Sequence, residues 1–378
     1  MRGGTLLPAT PVWKGKIVKT VRLNHPRAAL LAVAAAGLLT AVGLVVVLYA
    51  QPAEANYPGT NGKIYYAGDD GQDFEIYSID PDGGSNVRVT NNQSANWEPA
   101  YSPTGKKVAY SGWDGSDWEI YTSDLDGGNR VNLTDNNNTD DRHPYYSPNG
   151  TKIAYSSDAG GDWEIYTINT NGGGKFNVTN NNSDDENPAY SPSGAKIAYQ
   201  YDAGNNWEIY TINTNGGSRQ NVTNSNTSDD YEPDYSPDGK KIAYSSVTGN
   251  GDYEIYTINT NGGSKSNVTN NNSDDYEPDY SPDGKKIAYS NFVTGGDYEI
   301  YTVNTNGGSK FNVTSNNSDD YYPSYSPSGK SIAYVNDPGT GDNEIYYINT
   351  NGGGNTRVTD NNTQNWDPYW ACKGACRR

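Results

Sequence analysis

The sequence predicts an all-β fold built from seven copies of one unit of four short strands. The first observation is the period: a Tyr-Ser-Pro sequence recurs every 44 or 45 residues, with its proline at 103, 148, 192, 237, 282 and 327. The second is that no part of the unit has the apolar spacing of a helix. The third is that each unit contains four segments with strand character. Repeats of this length and composition predict a β-propeller.

The unit at residues 235–269 shows the first half of the pattern. Its Ser-Pro-Asp-Gly sequence at 236–239 is typical of a turn, because proline sets φ and glycine accepts the left-handed closing position. Residues 241–244 then alternate polar and apolar, which predicts a strand. A glycine-rich loop follows, and the Tyr-Glu-Ile-Tyr-Thr-Ile sequence at 253–258 predicts the next strand, because it is β-branched and aromatic with a period of two.

The second half of the unit contains a hairpin. Asn261-Gly262 suits a type I′ turn, whose two central residues need positive φ, and the turn leads into a strand that ends at Thr269. The Glu-Pro-Asp-Tyr sequence at 277–280 is the first strand of the following unit. Each blade of the predicted propeller therefore has four strands.

The count of units and the ends of the chain predict how the ring closes. The Pro-x-Tyr strand occurs seven times, with its proline at 99, 144, 188, 233, 278, 323 and 368. The first unit lacks this strand at its own start, whereas the last copy, at 367–370, stands alone. We therefore expect a single seven-bladed propeller over residues 56–370, closed by pairing of the N-terminal and C-terminal strands, which leaves no sheet edge at the junction.

These residues resemble a known repeat. Ser-Pro-Asp-Gly-Lys-x-Ile-Ala-Tyr followed by Glu-Ile-Tyr and a Gly-Gly turn is similar to the repeat of TolB-type propellers, which is also found in the propellers of prolyl oligopeptidase and dipeptidyl peptidase relatives. The similarity covers residues 57–370. It implies the propeller fold, but propellers of this kind serve as scaffolds, lectins, lyases and peptidase gates, so it implies no single function.

Residues 1–55 differ in composition from the repeats. They carry six basic residues and one acidic residue, and residues 28–50 contain no charge. A run of 23 residues is long enough to cross a hydrocarbon core of about 30 Å as a helix. The Ala-Glu-Ala sequence before Asn56 favours a signal peptide cut at that point, and an uncleaved anchor with its basic end inside is the alternative. Both interpretations predict an exported propeller, either secreted or anchored to the outer face of the cytoplasmic membrane.

The charge of the exported part excludes one class of partner. Removing the six basic residues and one acidic residue of the leader from 27 and 45 leaves 21 basic and 44 acidic residues, a net charge of −23. Such a surface repels nucleic acid.

The charges are also sorted by face. The lysines lie near the Ser-Pro-Asp-Gly and Gly-Gly turns, and aspartate pairs precede the Pro-x-Tyr strands, so we expect one basic face and one acidic face, the latter called here the mouth face. The pairs are Asp140-Asp141, Asp184-Asp185, Asp229-Asp230, Asp274-Asp275 and Asp319-Asp320. Two connections, at 94–96 and 363–365, have no acid and end in asparagine.

We expect the mouth face to bind a ligand through these aspartates and the aromatic residues that follow the connections. The aromatic residues are Trp97, Tyr231, Tyr276, Tyr321 and Trp366. The ligand could be a cation, with Ca²⁺ as the one candidate ion, a basic protein segment or a glycan. The alternative is that the aspartates only cap turns and the rings only wedge between blades. Departures from the repeat are further candidates: Arg142 and His143 occur where other units have Glu or Asn, and Tyr201 replaces Ser.

Catalysis finds little support in the residues. No Gly-x-Ser-x-Gly elbow occurs, and His143 is the single histidine after the leader, which argues against a Ser-His-Asp triad and against the His-containing metal site of lyases that resemble this propeller. A glycosidase with two carboxylates stays open because acids abound. We expect no cofactor.

The tail at 371–378 holds both cysteines, Cys372 and Cys376. In an exported protein such a pair predicts a disulfide, and dimerisation through the tail is the alternative.

The sequence thus predicts a non-catalytic, TolB-like propeller that binds a protein or acts as a scaffold at the cell envelope. A glycan-binding or glycan-cleaving propeller is the second hypothesis. The third is self-assembly, in which the acidic face of one copy meets the basic face of the next.

Overall fold

Seven antiparallel sheets of four strands make up the described part of the chain. The computed structural model describes residues 58–376 except 226, 294, 295 and 362. The predicted leader at 1–55 lies outside these residues. Within them, every unit forms one sheet in the order first, second, third and fourth strand, as the repeat pattern predicts.

The strands are numbered in chain order and grouped here by their position in a blade. The first strands are β4 (Asn96–Tyr101), β8 (Asp141–Tyr146), β12 (Asp185–Tyr190), β16 (Asp230–Tyr235), β20 (Asp275–Tyr280), β24 (Asp319–Tyr325) and β28 (Asn365–Cys372). The second strands are β1 (Asn61–Asp69), β5 (Lys107–Trp113), β9 (Lys152–Ser157), β13 (Lys196–Asp202), β17 (Lys241–Val247), β21 (Lys286–Val293) and β25 (Ser331–Asp337). The third strands are β2 (Phe74–Ile79), β6 (Trp118–Asp124), β10 (Glu164–Asn169), β14 (Trp207–Asn213), β18 (Tyr253–Asn259), β22 (Asp297–Asn304) and β26 (Glu344–Asn349). The fourth strands are β3 (Val87–Arg88), β7 (Val131–Asn132), β11 (Phe176–Asn177), β15 (Gln220–Asn221), β19 (Ser266–Asn267), β23 (Phe311–Asn312) and β27 (Thr356–Arg357).

The turn between the first and second strands follows the chemistry of its sequence. In blade 5, which contains β16 to β19, the N–H of Gly239 donates to the carbonyl of Ser236 at 2.7 Å. Gly239 has φ +68°, a conformation that glycine adopts without steric cost. The Ser236 hydroxyl accepts the N–H of Lys241 at 3.0 Å and contacts Asp238 Oδ1 at 2.8 Å, which ties the turn to the second strand.

The ring closes through the two ends of the propeller. Strand β28 pairs antiparallel with β1, with Tyr369 opposite Tyr65 and Asn365 opposite Gly68, so blade 1 consists of β28, β1, β2 and β3. The first strands of neighbouring blades contact one another around the whole ring, and β28 contacts both β24 and β4. The predicted seven-bladed propeller with shared first blade is confirmed.

The hydrophobic core lies between neighbouring blades. One cluster joins Ile165 and Val178 of blade 3 to Tyr190 and Ile197 of blade 4, and all four side chains are buried. The second strands are buried on both faces because a blade packs against a neighbour on each side, as Ala243 and Tyr244 show with no exposed surface. Packing of this kind makes each blade depend on the next.

The tail is held at the ring junction. Cys372 and Cys376 form a disulfide with Cα atoms 5.3 Å apart. The N–H of Cys376 donates to the carbonyl of Pro103 at 3.0 Å, so the tail contacts the first turn of blade 2. Among the described residues, no helix has the length and apolar character needed to cross a membrane.

Candidate functional site

The mouth face is defined by the strand register. Asp230, at the start of the first strand of blade 5, pairs with Ser246, and Tyr253, at the start of the third strand, pairs with Val247. First and third strands therefore begin at the same end of the blade. The connections that carry the aspartate pairs and the loops between second and third strands lie at this end, whereas the Ser-Pro-Asp-Gly turns lie at the other.

The second aspartate of each pair is buried and does not lie on the rim. The sequence predicted paired carboxylates exposed at the mouth, but these side chains have no exposed surface. They are Asp141, Asp185, Asp230, Asp275 and Asp320. The physical reason is the register, which places this residue within the first strand, where the preceding blade covers it. Whether the pairs bind a ligand stays a prediction.

Each buried aspartate takes part in a network that crosses a blade junction. At the junction of blades 2 and 3, the Thr134 hydroxyl donates to Glu119 Oε2, and the N–H of Asn136 donates to Glu119 Oε1 at 2.7 Å. The Asn136 amide then donates to Asp141 Oδ2 at 2.7 Å. We call such a site a Glu–Asp junction.

The carboxyl groups of these junctions hold protons at unusually high pH. Burial, followed by the neighbouring Glu charge, raises the pKa of Asp185 to about 8, of Asp275 to about 7 and of Asp320 to about 8. Burial raises the pKa of Asp230 to about 6 and also raises that of Asp141. Two adjacent buried carboxylates resist ionising together, so the pairs that contain Asp185, Asp275 and Asp320 share a proton near pH 7.

The first aspartate of each pair is half-buried and braces the mouth. Its Oδ1 accepts the N–H of an aromatic residue in or just before the third strand of the preceding blade, at 2.8 to 3.0 Å. In these hydrogen bonds the N–H donor of Asp140 is Trp118, that of Asp184 is Trp163, that of Asp229 is Trp207, that of Asp274 is Tyr253, and that of Asp319 is Tyr298. These carboxylates hold the connections in place at the mouth.

A continuous row of half-buried rings lies along the mouth from blade 4 to blade 1, and we call it the aromatic crescent. Neighbouring ring centroids are 4.8 to 6.4 Å apart. In order, the rings are Trp207, Tyr231, Tyr253, Tyr276, Tyr298, Tyr321, Tyr322 and Trp366.

The crescent contains four of the five aromatic residues expected at the mouth. Trp97, in blade 2, is the exception, because the centroid of its ring lies 4.0 Å from that of Phe74 and it does not belong to the row. The sequence reasoning missed Tyr322, Trp207, Tyr253 and Tyr298. The signal of the last three was available, since each directly precedes the Glu of the Glu-Ile-Tyr strand. The sequence analysis did not infer that the first and third strands both begin at the mouth face.

The residue before the proline of each first strand forms a ring around the propeller axis. All seven have φ between 52° and 60°, and the pairing with the second strand is shifted at this point, so a bulge occurs in every first strand. The seven residues are Glu98, His143, Asn187, Glu232, Glu277, Tyr322 and Asp367. Among them, we call Glu98, Glu232, Glu277 and Asp367 the carboxylate ring.

Members of this ring are linked from blade to blade. Glu232 Oε2 accepts the N–H of Glu277 at 2.8 Å, and Glu277 Oε2 accepts the N–H of Tyr322 at 2.7 Å. Burial, then the charge of Glu232, raises the pKa of Glu277 to about 8. Burial, then the charge of Glu98, raises the pKa of Asp367 to about 7. This half of the ring is short of positive charge.

The other side of the ring contains a histidine and an arginine. His143 Nε2 lies 3.4 Å from Glu98 Oε1, and Arg142 lies over the ring of Trp118 at 4.5 Å. Burial acts to raise the pKa of Glu98, but the charges of His143 and Arg142 lower it overall. The structure therefore brings two of the three departures from the repeat together at the mouth. The third, Tyr201, packs against Tyr210 and lies outside the crescent.

Comparison with known proteins identifies the family. The model of the TolB beta propeller domain matches residues 60–247 and 231–376. The chain belongs to the TolB β-propeller family. No curated protein gave a match.

Solved structures with the same fold span several activities. TolB from Acinetobacter baumannii is 23% identical over 84% of this chain and 68% of its own, with a TM-score of 0.57. Oligogalacturonate lyase from Vibrio parahaemolyticus is 14% identical over 79% and 90%, with a TM-score of 0.62. A puromycin-hydrolyzing peptidase from Mycobacterium tuberculosis is 13% identical over 82% and 56%, with a TM-score of 0.60. At these identities the similarity of the TolB-family propeller to each of them shows the fold alone.

Proposed function

We propose that this propeller is a non-catalytic binding module that takes a basic segment of a partner protein at its mouth. The observation that carries the proposal is the aromatic crescent beside the carboxylate ring. The N-terminal segment supports a place for this module outside the cytoplasmic membrane, where its partner would be a protein of the cell envelope.

The crescent has the composition of a protein-binding surface. Tyr and Trp rings supply large contact area at low cost in conformational entropy, and they are enriched where binding energy concentrates in interfaces. Contacts between neighbouring rings, such as Tyr253 with Tyr276 at 4.8 Å, hold the side chains in place before a ligand arrives. A surface ordered in advance loses less entropy on binding.

The carboxylate ring supplies the preference for a basic ligand. Glu232, Glu277 and Asp367 lie on the side of the axis that the crescent flanks. The raised pKa values of Glu277 and Asp367 reflect burial first and then the charge of a neighbouring Glu. A lysine or arginine of the ligand would lower those pKa values and let the carboxyl groups ionise. The net charge of the whole chain, −18, draws basic ligands to the mouth over longer distances.

Blade 3 shows within the molecule how such a side chain can sit. Arg142 occupies the position that Tyr231, Tyr276 and Tyr321 occupy in other blades. Its guanidinium lies over Trp118 at 4.5 Å, and its charge helps to lower the pKa of Glu98. A ligand guanidinium over the crescent would make the same pair of interactions, a cation over a ring and a charge beside a carboxylate.

Catalysis forms no part of the proposal. His143, the single histidine after the leader, has its Nε2 beside Glu98 and burial lowers its pKa. The carboxyl groups of the ring serve here as partners for a ligand cation.

The proposal is tested by binding of fluorescent peptides to the full-length protein. We expect lysine-rich and arginine-rich peptides to bind and uncharged peptides of the same length to bind at least tenfold more weakly. Tyr276→Ala and Glu277→Gln should each weaken binding by about tenfold, which corresponds to about 1.4 kcal/mol. Added salt should weaken it further because screening shortens the reach of the charges.

Matched controls lie elsewhere on the propeller. Phe311→Ala removes an exposed ring from the outer strand β23, and Asp238→Asn removes an exposed carboxylate from the opposite face. Both variants should bind like the wild type. Equal affinity of wild type and Glu277→Gln would contradict the proposal. Retention of glycans that depends on Tyr276 but not on Glu277 would replace it with the glycan hypothesis, and salt-sensitive association of the protein alone would favour self-assembly.

A further inference from the structure

Two loops of the mouth face share an acidic spacing that the other blades lack. The sequence Asp-x-x-Asp-x-Glu occurs between second and third strands in blade 1, at 70–75, and in blade 2, at 114–119. In each loop the three carboxylates bring one oxygen apiece within 4.8 Å of one another. Blade 3 has one extra residue between its aspartates, blade 7 has two extra between Asp337 and Asp342, and in blade 4 asparagine replaces the second aspartate.

In blade 1 an arginine binds two carboxylates of the cluster. Arg88 extends from β3, and its Nη2 lies 2.8 Å from Asp70 Oδ2 and 2.6 Å from Glu75 Oε1. The arginine is fixed there, because its Nε also donates to the carbonyl of Thr90 at 2.9 Å. Blade 1 therefore carries its cation within its own sequence.

In blade 2 the corresponding cation is missing from the sequence. The position of Arg88 is taken by Asn132, whose Oδ1 accepts the N–H groups of Thr134 and Asp135 instead. Among residues 58–376, apart from the four that are not described, no lysine, arginine or histidine nitrogen lies within 4.0 Å of the carboxylates of Asp114, Asp117 or Glu119.

One oxygen of this cluster is buried without a donor. Asp117 is 3% exposed, and its Oδ2 accepts the N–H of Thr139 at 2.7 Å while its Oδ1 has no hydrogen-bond partner. A buried carboxylate oxygen with no donor is costly unless a cation contacts it. Glu119 is also fully buried, whereas Asp114 is exposed and leaves one side of the cluster open to water.

We propose that the loop between β5 and β6 binds one divalent cation, Ca²⁺, through Asp114, Asp117 and Glu119. The ion takes the place that the Arg88 guanidinium has in blade 1. Ca²⁺ fits because all three ligands are carboxylate oxygens and because water can complete its six to eight ligands at the open side, near Asp114. Two N–H groups, of Ser116 and Asp117, already hold Asp114 Oδ1 and shape the loop. The site is independent of the proposed basic ligand, since neither the crescent nor the carboxylate ring contributes to it.

Trp118 provides a direct probe of this site. It lies between Asp117 and Glu119 in sequence, and its ring centroid is 5.8 Å from that of Trp113. A lanthanide bound in the loop would therefore receive excitation energy from tryptophan. The experiment titrates the full-length protein with Tb³⁺ and records emission excited through tryptophan, then displaces the Tb³⁺ with Ca²⁺. We expect one saturable site that Ca²⁺ competes for, and one equivalent of Ca²⁺ in calorimetry.

Three variants separate this site from binding elsewhere. Asp114→Asn removes an exposed ligand without disturbing the core and should weaken Ca²⁺ by at least tenfold. Asn132→Arg installs the arginine of blade 1 and should abolish the site while circular dichroism stays unchanged. Asp70→Asn, the matched change in blade 1, should leave Ca²⁺ affinity as in the wild type. No saturable Tb³⁺ emission, emission unchanged in Asp114→Asn, or an equal loss in Asp70→Asn would overturn the proposal.

Discussion

Two kinds of blade junction solve the same problem of a buried glutamate in different ways. At the five Glu–Asp junctions, between blades 2 and 7, the third-strand Glu meets the buried Asp of the next blade. At the two junctions that flank the chain closure, Asn96 and Asn365 replace that Asp, and their amides donate to Glu75 and Glu344 at 2.9 and 3.0 Å. We call these Glu–Asn–Arg junctions.

The arginine of these junctions appears wherever the asparagine does. Arg88 and Arg357 replace the fourth-strand Asn of the other blades, and each lies 2.6 Å from its Glu, Arg88 from Glu75 and Arg357 from Glu344. An Asp beside a Glu needs a shared proton, because both groups are acceptors. An Asn beside a Glu donates a hydrogen bond, so the Glu keeps its charge and needs a cation. Asn in place of Asp on the first strand therefore requires Arg in place of Asn on the fourth strand, so the two replacements occur together.

The largest expected effect is on the pH dependence of stability. Folding raises the pKa of Asp185, Asp275 and Asp320 to about 7 or 8, from about 3.9 in an unfolded chain. Their contribution is therefore fully present below about pH 4 and is lost as the pH rises through 7 and 8. We expect the free energy of unfolding in urea to be at least about 3 kcal/mol larger at pH 5 than at pH 9.

The matched variant removes the proton-sharing groups. In Asp185→Asn/Asp275→Asn/Asp320→Asn the difference between pH 5 and pH 9 should shrink but not vanish, because Asp234, Glu277 and Asp367, outside the junctions, still have strongly raised pKa values. Stability that is flat or rises from pH 5 to pH 9 in the wild type would show that the Glu–Asp junctions do not share protons.

A smaller effect is expected from breaking a Glu–Asn–Arg junction. Arg357→Met leaves Glu344, whose side chain is 4% exposed, without its cation. We expect a loss of about 2 kcal/mol at pH 7, below the usual value for a fully buried pair because Arg357 is itself partly exposed. The measurement is urea unfolding. Lys240→Met, which breaks an exposed ion pair with Asp238, is the control and should change stability by less than about 0.5 kcal/mol. Equal losses of stability in the two variants would show that Arg357 contributes no more than an exposed ion pair.

The smallest net effect is expected when one junction is converted into the other kind. Asn267→Arg with Asp275→Asn gives the junction of blades 5 and 6 the residues of the closure junctions. The double variant should stay within about 1 kcal/mol of the wild type at pH 7, whereas Asp275→Asn alone should cost more because Glu254 then lacks both a proton and a cation. A double-mutant cycle with no coupling between the two positions would mean that their joint occurrence has another cause.

The fold was largely predictable because its signals are local. The Ser-Pro-Asp-Gly turn, the alternating second strand and the Glu-Ile-Tyr strand each act over a few residues, and their regular period counts the blades. The sharing of blade 1 followed from one strand left over at 367–370. The candidate site was predictable only in part: Tyr231, Tyr276, Tyr321 and Trp366 lie in the crescent, but the four residues of the carboxylate ring gave no signal.

Particular residues show why the rest could not be predicted. Asp229 and Asp230 are adjacent and chemically identical, yet one braces a loop at the surface and the other is buried with Glu208 of the neighbouring blade. Glu277 looks like any acid before a proline, and its environment depends on Glu232 of another blade.

The sequence by itself determined the strands, the turns, the number of blades and the pairing of the chain ends, because backbone preferences and side-chain alternation act between near neighbours. The tertiary structure decided which carboxylates are buried, which rings form the crescent and where arginine takes the place of a proton. Those outcomes depend on register and on contacts between blades about 45 residues apart, which bring together groups that no local pattern connects.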